Sequence, residues 1–222
     1  MENGEYSDGL STGPRFVRAG EIPFGAFNGK YAGRACYVVG RGPTEFDYEK
    51  LGDVEEPVFF INDAVCLEKY VRSESYFFAH DAVMGVWLDG RIKSTAVLPM
   101  EGNFLRETSG LTFGHGGKVV FYRSLETKRE QLLLLSRDRI AELGRLYMHS
   151  GTVHSVIHFI WYCGFGRVNF IGCDCGNGGY DRRLENLSES TSCFDYTAIG
   201  KAQGLLIALL GLEAVYLGTP GK

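Results

Sequence analysis

Short apolar runs that end in polar residues constrain this chain more than any other feature. Residues 35–40, 57–61 and 75–79 are dominated by Val, Ile, Phe, Tyr, Cys and Ala, and each is too short for a helix. They leave on Gly40-Arg41-Gly42, Asn62-Asp63 and His80-Asp81. Residues 46–51 read as a short helix or turn, and residues 64–70 and 82–88 as helices. Residues 93–98 and 118–123 continue as strands. Ser150-Gly151-Thr152 opens a helix that runs to about Tyr162 and stops at Gly164. A strand follows over residues 167–172, ending at Asp174. A last helix over 198–210 and a last strand over 214–217 complete the pattern. Short apolar strands alternating with helices predict an α/β fold with a mostly parallel central sheet of about six or seven strands and helices on both faces.

The 222 residues suit one such domain. Residues 1–33 stand apart as an arm and an irregular segment, polar at first and then pinned by Phe24, Phe27 and Tyr31. Residues 34–222 form the single domain, with 100–148 and 175–195 as candidates for a lid or loop insertion. Within the first of these, residues 125–146 have a helix-forming composition and an apolar stripe at Leu132, Leu135, Ile140 and Leu143.

A net charge of −4 argues against a partner held by bulk charge, and so against nucleic acid, but leaves room for a local basic pocket. The longest apolar stretches, 153–165 and 205–217, fall short of a membrane span, so no integral membrane segment is expected. The six cysteines lie mostly in apolar runs, where Cys acts as a small hydrophobe. With no signal-peptide pattern, a reducing cytoplasm is the expected location. Cys173-Asp174-Cys175 lacks a zinc spacing. His154 and His158 lie four apart near His149, but no Glu stands beside His154 as in a zinc protease, so packed histidines are expected there rather than a metal.

The turn after the first strand carries the chemical signal. A strand ending in Gly40-Arg41-Gly42 lets the backbone lie close to a ligand, and backbone N–H groups at such a corner favour an anion. Pro43 fixes a turn, and Thr44 can cap a helix starting near Glu45. Polar groups also collect after the other strands: Asn62, Asp63, His80, Asp81 and Asp174. In open parallel sheets ligands bind at that edge. Each residue also has a plainer role open to it: Asn62-Asp63 as a helix cap, His80 as a satisfied histidine, Asp174 as a loop hydrogen-bonder, Ser150 and Thr152 as caps.

Together these residues resemble a known superfamily. Cys-Tyr-Val-Val-Gly-Arg-Gly-Pro-Thr, residues 36–44, is similar to the Gly-Asn-Gly-Pro-Ser turn of bacterial family-42 sialyltransferases. It is also similar to the Gly-X-Gly-Pro-Ser turn of flagellin-modifying motility accessory factors and archaeal 6-hydroxymethylpterin diphosphokinases. Phe60-Ile61-Asn62-Asp63 resembles the second-strand Cys-Asn segment of the sialyltransferases. Ser150-Gly151-Thr152, Tyr162–Phe165 and Phe170–Asp174 resemble their Ser-Gly…Gly-Phe…Gly-X-Asp block. The resemblance implies a Rossmann-like, nucleotide-binding domain. It assigns donor contacts to Gly40, Arg41, Gly42, Thr44, Asn62, Ser150, Gly151, Thr152 and Asp174, and a phosphate contact to Tyr180. The sialyltransferase base is a histidine just before the last helix; residues 192–196 hold no His, which leaves Asp195 in that place.

The favoured expectation is a nucleotide-binding transferase, a glycosyltransferase using a CMP-activated sugar and a glycan or small-molecule acceptor, with no cofactor required. Asp195 or His80 would be the base, and Arg41, Tyr180 and Arg182 would steady the leaving phosphate. A pterin-type diphosphokinase using ATP and magnesium, with Asp63, Asp81 and Asp174 as metal carboxylates, is the alternative. A non-catalytic nucleotide-binding protein is the third, and a homo-oligomer is left open.

Overall fold

The computed structural model describes residues 20–79, 91–100, 118–125, 135–148, 151–173, 175, 180–184 and 195–218. Eight strands are present among them: β1 (Ala35–Val39), β2 (Val58–Ile61), β3 (Ser75–Phe78), β4 (Thr95–Pro99), β5 (Val119–Leu125), β6 (Arg145–Tyr147), β7 (Arg167–Ile171) and β8 (Glu213–Leu217). They form one sheet in the order β6-β5-β4-β3-β2-β1-β7-β8, and every pair is parallel. This is the expected α/β Rossmann-like arrangement, with eight strands where about six or seven were read.

The pleat sends alternate residues to opposite faces, and both faces are covered. Val38, Phe59, Tyr76 and Phe78, Val97, Val120 and Phe170 face one core. Val39, Phe60, Phe77, Ala96, Leu98, Phe121 and Ile171 face the other. The register matches this division: Val38 lies opposite Phe59 and Phe170, and Val39 opposite Phe60 and Ile171. Burial on both faces is why the strands read as unbroken apolar runs.

Three α-helices are described: α1 (Arg137–Leu143), α2 (Thr152–Tyr162) and α3 (Tyr196–Leu210). Helices α2 and α3 cover the first face. Helix α2 is apolar nearly all round and is buried along almost its whole length. Helix α3 turns Ile199, Ala202, Leu206 and Leu210 inward at helical spacing. The segment Phe24–Phe27, a 3-10 turn, adds Phe24 and Phe27 to the same core, with Phe24 stacked on Tyr162 at 4.7 Å between centroids. On the second face lie two 3-10 segments, Tyr48–Asp53 and Asn62–Tyr70. The cap of the first is Asp47, whose carboxylate accepts from Glu49 N at 3.2 Å, so Thr44 does not serve as the cap. No helix among the described residues is long and apolar enough to cross a membrane.

One stretch departs from the sequence reading. Residues 125–146 are not one helix: Leu125 closes β5, α1 spans only Arg137–Leu143, and Arg145–Tyr147 is strand β6. Gly144 makes the break. It takes a left-handed φ of 58°, its N–H closes on Ile140 O, and the chain turns into the sheet edge. Residues 82–88, read as a helix, and 101–117 lie outside the described residues, as does Leu132.

Both histidines of α2 are buried. His158 is buried, its Nδ1 accepts the N–H of Tyr147 at 2.9 Å, and its ring stacks on Trp161. It thereby fastens β6 to α2. Burial lowers its pKa from 6.5 to about 3. The unfolded chain therefore takes up a proton below about pH 6.5 that the folded chain refuses until near pH 3. The stabilising term is complete above 6.5 and is lost as pH falls, at up to about 1.4 kcal/mol per unit. Between pH 7 and pH 5, urea unfolding should show the parent losing about 2 kcal/mol more than a His158→Gln variant. Equal losses would mean that His158 titrates freely in the folded chain.

Candidate functional site

The strand order reverses beside β1, where β2 lies on one side and β7 on the other. In a parallel sheet the crevice for a ligand opens at such a point, outside the carboxyl ends of the strands. Here the two exits touch. Gly40 N donates to Ile171 O and Gly42 N to Gly172 O, both at 2.8 Å, so the β1–β7 ladder continues past both strands. A Cβ on Gly40 would stand 2.5 Å from Gly172 O and 2.7 Å from Cys173 Sγ, so the position admits glycine alone. The contact also corrects one expectation: the N–H groups of Gly40 and Gly42 are used within the sheet and are not offered to an anion.

What the turn presents is the side chain of Arg41. Its Nη1 lies 2.6 Å from Asp63 Oδ2, with the carboxylate fully buried and the arginine side chain 14% exposed. Its guanidinium carbon lies 3.9 Å from the centre of the Tyr180 ring. Asp63 arrives there through Asn62, which takes a left-handed φ of 51° at the exit of β2. Asn tolerates that conformation better than most residues. Asn62 thus turns the chain that delivers the carboxylate.

Tyr180 is held from below and from the side. Asp181 N donates to Arg41 O at 2.7 Å. The Asp181 carboxylate accepts from Tyr48 Oη at 2.8 Å and from Arg183. Arg183 also donates to Phe46 O and Thr44 O, and lies over the Tyr48 ring. Burial pushes the Asp181 carboxyl up, but the Arg183 guanidinium and N–H and the Tyr48 hydroxyl outweigh it and hold it below its ordinary value. Burial, then the Asp181 partner, raises the Tyr48 phenol. Residues 180–184 are therefore clamped to 41–48. Of the two adjacent arginines, both exposed, Arg183 is the clamp.

On its outer side, Tyr180 Oη lies 2.7 Å from Tyr196 Oη, in the first residue of α3. Asp195 is the cap of that helix and accepts from Ala198 N at 3.0 Å. Gly151, the N-cap of α2, lies against Ile199 in the first turn of α3, and Thr152 is buried behind it. Contacts thus run from Arg41 through Tyr180 to the start of α3, and from there to the start of α2. Gly40, Arg41, Gly42, Asn62 and Tyr180 meet at the crevice. Gly151, Thr152 and Asp195 meet at the paired helix starts beside it. His80, Ser150 and Asp174 lie outside the described residues. Sequence reading missed Tyr48 and Asp181, which carry no signal, and noted Gly172 only as the glycine of the Gly-X-Asp block, without a role.

No protein-family model matches the chain, and no curated protein matches it significantly. The fold and the crevice define its class: a doubly wound α/β domain with a cation at the switch point of its sheet.

The Gly40 contact has a measurable consequence. Gly40→Ala should destabilise the chain by about 2 kcal/mol or more in urea unfolding, since the added methyl meets backbone that cannot give way. Gly166→Ala, where a Cβ meets nothing within 4 Å, serves as control and should shift stability by less than about 1 kcal/mol. Equal effects of the two substitutions would deny the close approach of β1 and β7.

Proposed function

We propose that the chain is a nucleotide-binding transferase that uses a CMP-activated sugar and binds the donor at the β1–β7 crevice. The observation that carries this reading is Arg41, projected from the turn at the switch point and oriented by Asp63 and Tyr180. In such a reaction an acceptor hydroxyl attacks the anomeric carbon. The bond from that carbon to the phosphate oxygen breaks, and CMP leaves with the electron pair. The charge growing on the leaving phosphate needs a fixed donor, and a guanidinium already held in place supplies one without reorganising. Tyr180 adds a hydroxyl close by. Asp195, at the start of α3, is the described candidate for taking the acceptor's proton, although it also caps its helix; His80 is the other.

The geometry weighs against the diphosphokinase reading at one point. Asp63, one of the three carboxylates that reading needs for magnesium, is engaged by Arg41 at 2.6 Å. A carboxylate paired with a guanidinium binds a divalent cation only by giving up that pair.

Metal dependence separates the two. CMP should raise the melting temperature as much in EDTA as in magnesium, and Arg41→Gln should abolish that rise. If ATP with magnesium shifts the curve and CMP does not, the diphosphokinase reading replaces this one.

A further inference from the structure

Beyond Arg41, the same turn borders a hollow between the ends of β7 and β8. Pro43, Thr44, Phe170, Cys173, Tyr216 and Leu217 line it, with the backbone of Gly172 and Gly218. Thr44 is 8% exposed, and its Oγ1 has no hydrogen-bond partner. A buried hydroxyl left in that state costs free energy that a bound group recovers.

The lining carries no charged side chain, so the hollow suits no phosphate or carboxylate. Its outer wall is the ring of Tyr216, which is 49% exposed and yet fixed. It stacks on Phe170 at 5.2 Å between centroids and 21° between planes. Its hydroxyl accepts from Gln203 Nε2 at 3.0 Å. An aromatic face that is both exposed and immobilised is a stacking platform. The space is about 60 Å³, room for the edge of a ring and not for a whole nucleotide.

We propose that this hollow seats the edge of an uncharged heteroaromatic ring, a nucleobase, with Thr44 Oγ1 as its hydrogen-bond partner and Tyr216 as its wall. The proposal rests on the nucleotide reading of the crevice and extends it. Only Gly42 and Pro43 separate Arg41 from Thr44, which keeps the Cα atoms of the two within about 11 Å of each other. A nucleoside monophosphate can therefore place its phosphate at Arg41 and its base at Thr44. A hydroxyl both donates and accepts, so it can meet either kind of edge group on the ring.

Calorimetric titration with CMP, cytidine, ribose 5-phosphate and free cytosine tests this. Thr44→Val keeps the shape and removes the hydroxyl. It should weaken CMP and cytidine about tenfold and leave ribose 5-phosphate unchanged. Thr44→Ser, which keeps the hydroxyl, should bind as the parent does, and Tyr216→Leu should weaken cytidine alongside CMP. Arg41→Gln should do the reverse of Thr44→Val, weakening CMP and ribose 5-phosphate and sparing cytidine. If the parent binds CMP and neither Thr44→Val nor Tyr216→Leu alters it, the base lies elsewhere and only the nucleotide reading stands. If Thr44→Ser fails as Thr44→Val does, packing and not the hydroxyl is at work, and the proposal falls. Should the parent bind cytosine through Thr44 but no nucleotide, the ring seat stands and the transferase reading fails. A parent that binds none of the four overturns both.

Discussion

Two backbones in direct contact hold the centre of this molecule. The exits of β1 and β7 approach so closely that Gly40 N and Gly42 N reach Ile171 O and Gly172 O. No side chain intervenes, because none would fit at Gly40. In a doubly wound sheet the connections leave in opposite directions from this line, so a crevice opens above it. The ladder running past the strand ends makes its floor rigid. The residue between the two glycines then has one way to go. Arg41 stands out of the floor, its carbonyl fixed by Asp181 N and its guanidinium by Asp63.

The two edges of the sheet use charge differently. At the amino edge Lys30, Tyr31, Glu74 and Tyr76 form a closed network. Tyr31 Oη donates to Glu74 and lies 2.6 Å from Tyr76 Oη, Tyr76 Oη lies 2.6 Å from Glu74 Oε1, and Lys30 Nζ lies 2.9 Å from Glu74. Burial and the Glu74 hydrogen bond push the Tyr31 phenol up to about 12, so the network stays in one protonation state across the physiological range. It anchors the irregular segment before β1 and asks for nothing further. At the carboxyl edge, by contrast, a buried carboxylate is matched to a cation that keeps some exposure, and a buried hydroxyl lacks a mate. Buried ion pairs contribute little net stability, yet removing one partner costs about 3–5 kcal/mol. Such a pair fixes a geometry more than it stabilises a fold.

The sheet was legible because burial on both faces writes each strand as an unbroken apolar run. Phe59 and Phe60 go to opposite cores, and both had to be apolar. The edge strand β6 was not legible. It is three residues long, begins with a charged residue, and follows a helix of similar composition; Gly144 was its one sign. The 3-10 segments read as helices because period and composition scarcely separate the two at this length. At the site, Arg41 and Asn62 showed themselves by standing directly behind strands. Asp63 showed itself too, but as a helix cap or a metal carboxylate. That it meets Arg41 depends on the neighbouring placement of β1 and β2 and on the left-handed turn at Asn62, and a linear reading carries neither. Of the adjacent arginines the sequence reading gave a role to Arg182 alone, and only the fold gives Arg183 the carbonyls of Thr44 and Phe46.

The pairing of Arg41 also bears on what the crevice would select under the proposed reading. A lone guanidinium in a partly buried site attracts any anion, and a polyphosphate most strongly. Here Asp63 cancels most of that long-range attraction, and the ring of Tyr180 covers one face of the cation. What remains is directional. The guanidinium carries five N–H donors in a plane, and only an oxygen brought into that plane gains from them. Selectivity of this kind rests on where the rest of the ligand is held. The clamp of Tyr48, Asp181 and Arg183 keeps Tyr180, and with it the ring that covers Arg41, in a constant position relative to Thr44. On the proposed reading, a single phosphate tethered to a seated ring would reach the arginine at little entropic cost, whereas a free polyanion would meet a pair that is already neutral.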